Sequence, residues 1–177
     1  MLCKTGGNLC LPGTEIPNWI RHQTVGSLIS FRVPSFLDDE TGNMLVCVVY
    51  AANKEAPREL DRWGWFRLRF CNRSRYPPKY FEIESNNCFF DSCDDHIFVE
   101  VRGFHEIELE MNSGDRIELF IKVLLYEEMN CEIQVKKLGI HLLFGDPNEV
   151  IDKPESALLR MLRSDPSANP ERKSPQI

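Results

Sequence analysis

Apolar and polar residues alternate with period two in short stretches along this chain, and Gly, Pro, Asn and Asp separate the stretches. That is the pattern of half-buried antiparallel strands, in which successive side chains point to opposite faces of a sheet. In Ser27 to Val33 the spacing puts Ile29, Phe31 and Val33 on one face, and Pro34 ends the strand. Met44 to Ala52 is apolar almost throughout, which predicts a strand covered on both sides. Trp63 to Cys71 alternates strictly, with Phe66, Leu68 and Phe70 on one face and Trp63, Trp65, Arg67 and Arg69 on the other. Further strands are expected at Lys79 to Ile83, His96 to Arg102, Ile107 to Met111, Arg116 to Tyr126 and Glu132 to Phe144. The turn Asn112-Ser113-Gly114-Asp115 predicts a hairpin between two of them. About eight strands with almost no helical period predict an all-β fold, an antiparallel two-sheet β-sandwich of jelly-roll or Ig-like kind.

The pattern changes after Gly145-Asp146-Pro147. Pro154 to Arg163 has the spacing of a short amphipathic helix, with Leu158, Leu159, Met161 and Leu162 on its apolar side. Beyond Ser164, Pro, Ser, Asn and charge dominate, as in a disordered tail. The expected organisation is a flexible N-terminus over 1–8, a sandwich over 9–145, and a short helix with a disordered tail over 146–177. A chain of 177 residues has room for one ordinary domain.

Composition narrows the function classes. The net charge is −6, and bases and acids are interspersed rather than clustered, which argues against nucleic acid as a partner. The longest apolar runs are strand length, well short of the roughly 20 residues that span a bilayer, so no membrane partner is expected. No apolar signal-peptide core follows Lys4, Gly6, Gly7 and Asn8. The cysteines number 7, an odd count, and read as reduced cytosolic thiols; the cytoplasm is the expected compartment, with the nucleus as a second location. Asn72-Arg73-Ser74 fits a glycosylation sequon and reads as chance in such a compartment.

One segment carries more information than its period. Leu11 to Pro34 reads LPGTEIPNWIRHQTVGSLISFRVP. As a structural device, Pro12-Gly13 suits a tight turn with a positive φ at the glycine, and Pro17 keeps Ile16 extended. Trp19 is large enough to plug one end of a sandwich, where Glu15 or His22 has exposed backbone to bond. An acid-base pair of Glu15 and His22 is the functional alternative, but no nucleophile or orienting third group accompanies it.

This segment resembles the opening of the C-terminal jelly-roll and Ig-like domain (C-JID) found after the leucine-rich repeats of plant TIR-type NLR immune receptors. The residues that carry the resemblance are Leu11, Pro12, Gly13, Glu15, Ile16, Pro17, Trp19, His22, Gln23, Gly26, Ser27 and Pro34. Asp95 to Phe98 resembles the family's Asp-His strand entry, and Val135 to Phe144 its final strand. Ile20 stands where the family commonly has an aromatic residue, and Leu28 where it commonly has a small polar one. The resemblance implies a non-catalytic domain that packs beside the repeats and contributes surface for recognising a pathogen effector, with no cofactor. This chain itself has no phosphate-binding loop, no leucine-rich repeat and no TIR domain.

Other chemistries leave weaker marks. A cupin-type metal enzyme needs two His spaced by one residue, whereas His96 is followed two places on by Phe98 and His105 by Ile107. Cys88, Cys93 and His96, with Asp91, Asp94 or Cys71 as a fourth ligand, give a zinc set on spacing alone. The row Trp63, Trp65, Arg67, Arg69 consists of the residue types enriched at interface hot spots, and is the expected protein-binding site unless a neighbouring element covers it. A sugar-stacking platform on Trp63 and Trp65 is a further reading. The polar connections 53–62, 72–78 and 84–95 are the expected recognition loops.

Overall fold

The computed structural model describes residues 3–5, 8–34, 42–52, 63–85, 88–89, 94–125 and 133–143. Eleven strands are present among them: β1 (Cys3–Thr5), β2 (Asn8–Pro12), β3 (His22–Val25), β4 (Leu28–Arg32), β5 (Asn43–Ala52), β6 (Trp63–Asn72), β7 (Lys79–Glu84), β8 (Cys88–Phe89), β9 (His96–Gly103), β10 (Arg116–Leu125) and β11 (Ile133–Leu143). They form a six-stranded sheet in the order β1-β2-β9-β5-β11-β3 and a five-stranded sheet in the order β4-β10-β6-β7, with β8 also paired to β6. Every pairing is antiparallel. The chain is therefore the two-sheet sandwich that the alternation predicts.

The inner faces meet in one apolar layer. Met44, Val46, Val48 and Tyr50 of β5 face Phe66, Leu68 and Phe70 of β6 and Ile117, Leu119 and Ile121 of β10. Phe66 and Phe98 pack with ring centroids 4.4 Å apart. The other side of β5 is just as apolar: Leu45, Cys47 and Val49 join Leu9, Val99, Ile16 and Ile20 in a second cluster on the outer face of the six-stranded sheet.

Ile16 and Ile20 belong to the Leu-Pro-Gly segment, so the opening motif is the layer that covers this sheet. Its path is fixed locally. Ile20 N–H donates to the Pro17 carbonyl at 3.0 Å, and the Gln23 side-chain amide donates to the Pro17 and Ile20 carbonyls at 3.0 Å each. Beneath it lies Gly139, where a Cβ would come within 2.9 Å of Ile16 Cγ2 and 3.0 Å of Ile20 Cγ2. Trp19 sits half-buried on the same face, edge-on to His141 at 5.5 Å, rather than plugging an end of the sandwich. Gln23, not Glu15 or His22, satisfies the turn backbone; Glu15 pairs with Lys137 and His22 packs on Phe31.

Gly13 departs from the sequence expectation. Its φ is not positive; the residue is constrained instead by proximity, since a Cβ there would meet Ile97 Cδ1 at 2.7 Å. Within the opening segment the glycine with a positive φ is Gly26, at +93°. Gly26 N–H donates to Lys136 in the six-stranded sheet (2.8 Å), and the Ser27 carbonyl accepts from Ile121 in the five-stranded sheet (2.9 Å). Gly26-Ser27 is thus the corner where the chain passes from one sheet to the other.

Ile107 to Met111 is not a strand. Leu109 N–H donates to the Ile107 carbonyl at 2.7 Å, a local turn incompatible with a ladder. Ile107 and Leu109 are nonetheless buried, because this stretch crosses between sheets after a 3₁₀ turn at Phe104–Glu106. The Asn112 to Asp115 turn is present, with Gly114 at φ +83°, but it leads from that crossing into β10 and closes no hairpin. The six-stranded sheet also starts before residue 9, through β1 and Asn8. The helix and tail expected over 146–177 lie outside the described residues.

Removing Ile20 takes away the cover of the outer cluster. We expect Ile20→Ala to lower unfolding free energy by about 2–5 kcal/mol and Gln23→Ala by no more than about 1.5 kcal/mol, measured by urea titration.

Candidate protein-interaction face

The outer face of the five-stranded sheet is built by the residues that alternate with its core. Register across the strands sets them in rows. Glu84, Arg67 and Lys122 make one row, and Glu82, Arg69, Phe120 and Leu28 the next. Trp65 lies opposite Leu124. Phe66, Leu68 and Phe70 are fully buried on the other side of β6, so the side assignment read from the alternation is correct.

Arg67 Nε and Nη2 donate to Glu84 Oε1 at 3.1 and 2.7 Å, and Arg69 pairs with Glu82. The arginines are therefore already matched by carboxylates on β7. Trp65 is half-buried. Its indole and the Arg67 guanidinium hold the Glu84 carboxyl below its ordinary range, Arg67 having the larger effect. β6 includes Trp63, but its side chain lies outside the described residues.

Exposed apolar surface lies beside this ladder. Leu28 is 51% exposed and Phe120 40%, and the two are direct cross-strand neighbours next to Arg69. Tyr80 of β7, 58% exposed, belongs to the same face. Phe120 alternates with the buried Leu119 and Ile121 along β10, and the register of β10 with β4 and β6 joins it to Leu28 and Arg69. At the tip of the β6–β7 hairpin, Tyr76 stands almost fully in solvent. The connection 53–62, and residues 86–87 and 90–93 of 84–95, lie outside the described residues.

The other candidate chemistries are not brought together. Cys88 pairs near Gly64 and Cys71 lies next to Asn72, at opposite ends of β6, about 23 Å apart at 3.3 Å per residue. Cys93 and Asp91 are outside the described residues. Among the described residues no three His, Cys, Asp or Glu side chains gather as a metal site requires. Cys10, Cys47 and Cys71 are in no disulfide, and burial pushes the Cys47 pKa up to about 12. Asn72 is buried, donating to the Glu110 carbonyl at 2.9 Å and to Asp115 at 2.7 Å, so the sequon is not an acceptor in the folded chain.

One ionised pair sits between the sheets. Glu100 is 2% exposed and accepts from Arg102 Nη2 at 2.6 Å; Arg102 also reaches Glu106 at 3.1 Å and the Glu84 carbonyl at 3.1 Å. Burial raises the Glu100 pKa, and the attraction of Arg102 only partly offsets it. A raised folded-state pKa gives stability that is present at low pH and lost as pH rises through that value.

Two outcomes follow from this geometry. A double-mutant cycle on Arg67→Ala and Glu84→Ala is expected to give a coupling of about 0.2–1 kcal/mol, since both side chains are well exposed. Relative to Glu100→Gln, the wild-type chain is expected to lose stability as pH is raised from about 4 to about 7, read as the shift in urea midpoint.

No curated protein matches the chain. The family model of the C-JID domain matches residues 11–149, from the opening motif through β11. The two-sheet sandwich, with the Leu-Pro-Gly segment folded as the cover of one sheet, is the physical content of that match, and the chain belongs to the C-JID family of domains that follow the leucine-rich repeats of plant NLR immune receptors.

Proposed function

We propose that this domain is a non-catalytic recognition module that helps its receptor bind a pathogen effector, using the outer face of the five-stranded sheet in the cytoplasm or nucleus. One observation carries the reading: the two sheets are treated differently. The outer face of one is covered by the chain's own opening segment, while the other leaves Leu28, Phe120 and Tyr80 exposed among Arg67, Arg69, Glu82 and Glu84. Exposed apolar and aromatic groups ringed by paired charges are the make-up of a protein-binding patch. The leucine-rich repeats are the expected neighbour of the domain within the receptor.

The matched charges refine which residues supply affinity. Arg67 and Arg69 are held in place by Glu84 and Glu82, so they present fixed guanidinium faces at little further entropic cost. Half-burial of Trp65 makes it part of the support as much as of the surface.

Co-immunoprecipitation of the chain with a panel of secreted pathogen effectors, from leaf tissue expressing both, tests the proposal. Phe120→Glu and Arg69→Glu are expected to reduce capture of the bound effector at least about tenfold while leaving the melting temperature within a few degrees. Undiminished capture by both variants would move recognition off this face.

A further inference from the structure

The two sheets do not end together at the Gly26-Ser27 corner. β4 stops at Leu28, opposite Phe120, and Ile121 N–H to the Ser27 carbonyl is the last bond along that edge of β10. β10 runs on to Leu125, paired with β6 through Val123, Leu124 and Leu125. In the six-stranded sheet β3 likewise stops at Val25, opposite Lys137, while β11 extends back to Ile133 paired with β5. Among the described residues, nothing pairs with the outer edges of these two extensions. Between them lies a cleft of about 390 Å³ whose apolar lining is Ile121, Val123, Leu125, Ile133 and Val135.

Backbone direction shows what the cleft is shaped to take. Ile121 N–H faces the β4 edge, and the Leu124 carbonyl faces β6, where it would lie 2.2 Å from a Cβ on Gly64. Strand groups alternate, so Val123 and Leu125, in phase with Ile121, turn their N–H and C=O groups to the open edge and their side chains into the cleft. An open edge is ordinarily blunted by a proline, a bulge or a charged side chain, lysine above all. The β11 extension has a register shift between Val135 and Lys137, whereas the β10 extension has neither proline nor bulge and carries a single charge, Lys122.

Charge adds a second requirement. Lys122 lies directly opposite Arg67 on the outer face, and like charges so placed repel. The carboxylate of Glu84 is engaged by Arg67 on the far side, and Lys122 has no ion-pair partner among the described residues. A carboxylate on the open side of Lys122 would complete the row Glu84, Arg67, Lys122.

We propose that the open edge of β10 over Lys122–Leu125 takes an extended strand of a partner protein, antiparallel to β10 and in line with β4, with apolar side chains in the cleft and an acidic residue opposite Lys122. This rests on the reading of the domain as a protein-binding module and adds the mode: main-chain pairing supplies affinity, and the cleft and Lys122 supply selectivity. The chain's own segment beyond residue 143 is a poor competitor by composition, because Pro147, Pro154, Pro166, Pro170 and Pro175 interrupt it and proline has no N–H to donate.

The probe is a fluorescein-labelled heptapeptide, Thr-Val-Glu-Ile-Glu-Val-Thr, titrated with the full chain by fluorescence anisotropy. Saturable binding is expected, weakened at least about tenfold by Lys122→Glu and by Val123→Pro. That proline removes an edge donor without touching the ladder to β6. Peptides N-methylated at Val and Ile, whose N–H groups would face β10, should not bind, while N-methylation at Glu should leave binding intact; this pair decides the matter should Val123→Pro fail to fold. Absence of binding, or binding indifferent to which residues are methylated, would overturn the proposal. So would binding that appears only after residues 146–177 are deleted, which would make the tail the occupant. A dimer seen by sedimentation and dissolved by Val123→Pro would assign the edge to a second copy and equally overturn it. Failure of the peptide with the Phe120→Glu effect intact would remove the strand slot and leave the recognition face standing.

Discussion

A strand with no polar face needs a layer on each side, and β5 is that strand. Every residue from Met44 to Ala52 is buried, with Met44, Val46, Val48 and Tyr50 directed at the second sheet and Leu45, Cys47 and Val49 directed away from it. Two sheets alone would leave the latter set in water, at a cost on the order of 25 cal/mol for each Å² of apolar surface. The opening segment removes that cost by laying Ile16 and Ile20 over the six-stranded sheet, and Gly139 lets it come close. The stretch from Pro17 to Gln23 serves that single packing task.

The same requirement makes the two outer faces unequal. With the opening segment committed to the six-stranded sheet, no other described segment covers the outer face of the five-stranded sheet. Its outer positions are correspondingly charged on β6 and β7, where cross-strand pairs keep Arg67 and Arg69 in fixed poses. Toward β4 they become apolar, at Phe120 and Leu28. The face is therefore charged and internally paired at one side and apolar at the other.

The open end of the sandwich has a related origin. The Gly26-Ser27 corner ties the sheets together with one bond to each, and it does so before either β10 or β11 has run its length. Past that corner the sheets part, apolar side chains line the gap, and the edge of β10 is left with donors and acceptors that no described strand takes up. The polar groups deeper inside are handled differently: Glu100 is held by Arg102, and Asn72 by Glu110 and Asp115. Hydrogen bonds meet the burial of the Glu100 Oε1 atom and of the Asn72 amide there, whereas at the edge of β10 no described strand does so.

Sequence alone determined the strands with a regular alternation, the faces of β4 and β6, the double burial of β5 and the family of the domain, because side-chain period and short motifs are local properties of the chain. Its misreadings are instructive. Ile107, Leu109 and Met111 alternate because a crossing segment meets the core at every second residue, and alternation cannot tell that from a strand. Gly13 was read as a turn glycine, while its real constraint is the Ile97 side chain, distant in sequence. The short strands β2, which leads into the motif, and β3, within it, were unmarked by period. Only the tertiary structure decided that the motif covers a sheet, that Arg67 and Arg69 meet Glu84 and Glu82, that Phe120 joins Leu28, and that β10 outruns β4. Each of these depends on which strands become neighbours and in what register, and that is set by long-range pairing rather than by any stretch of sequence read by itself.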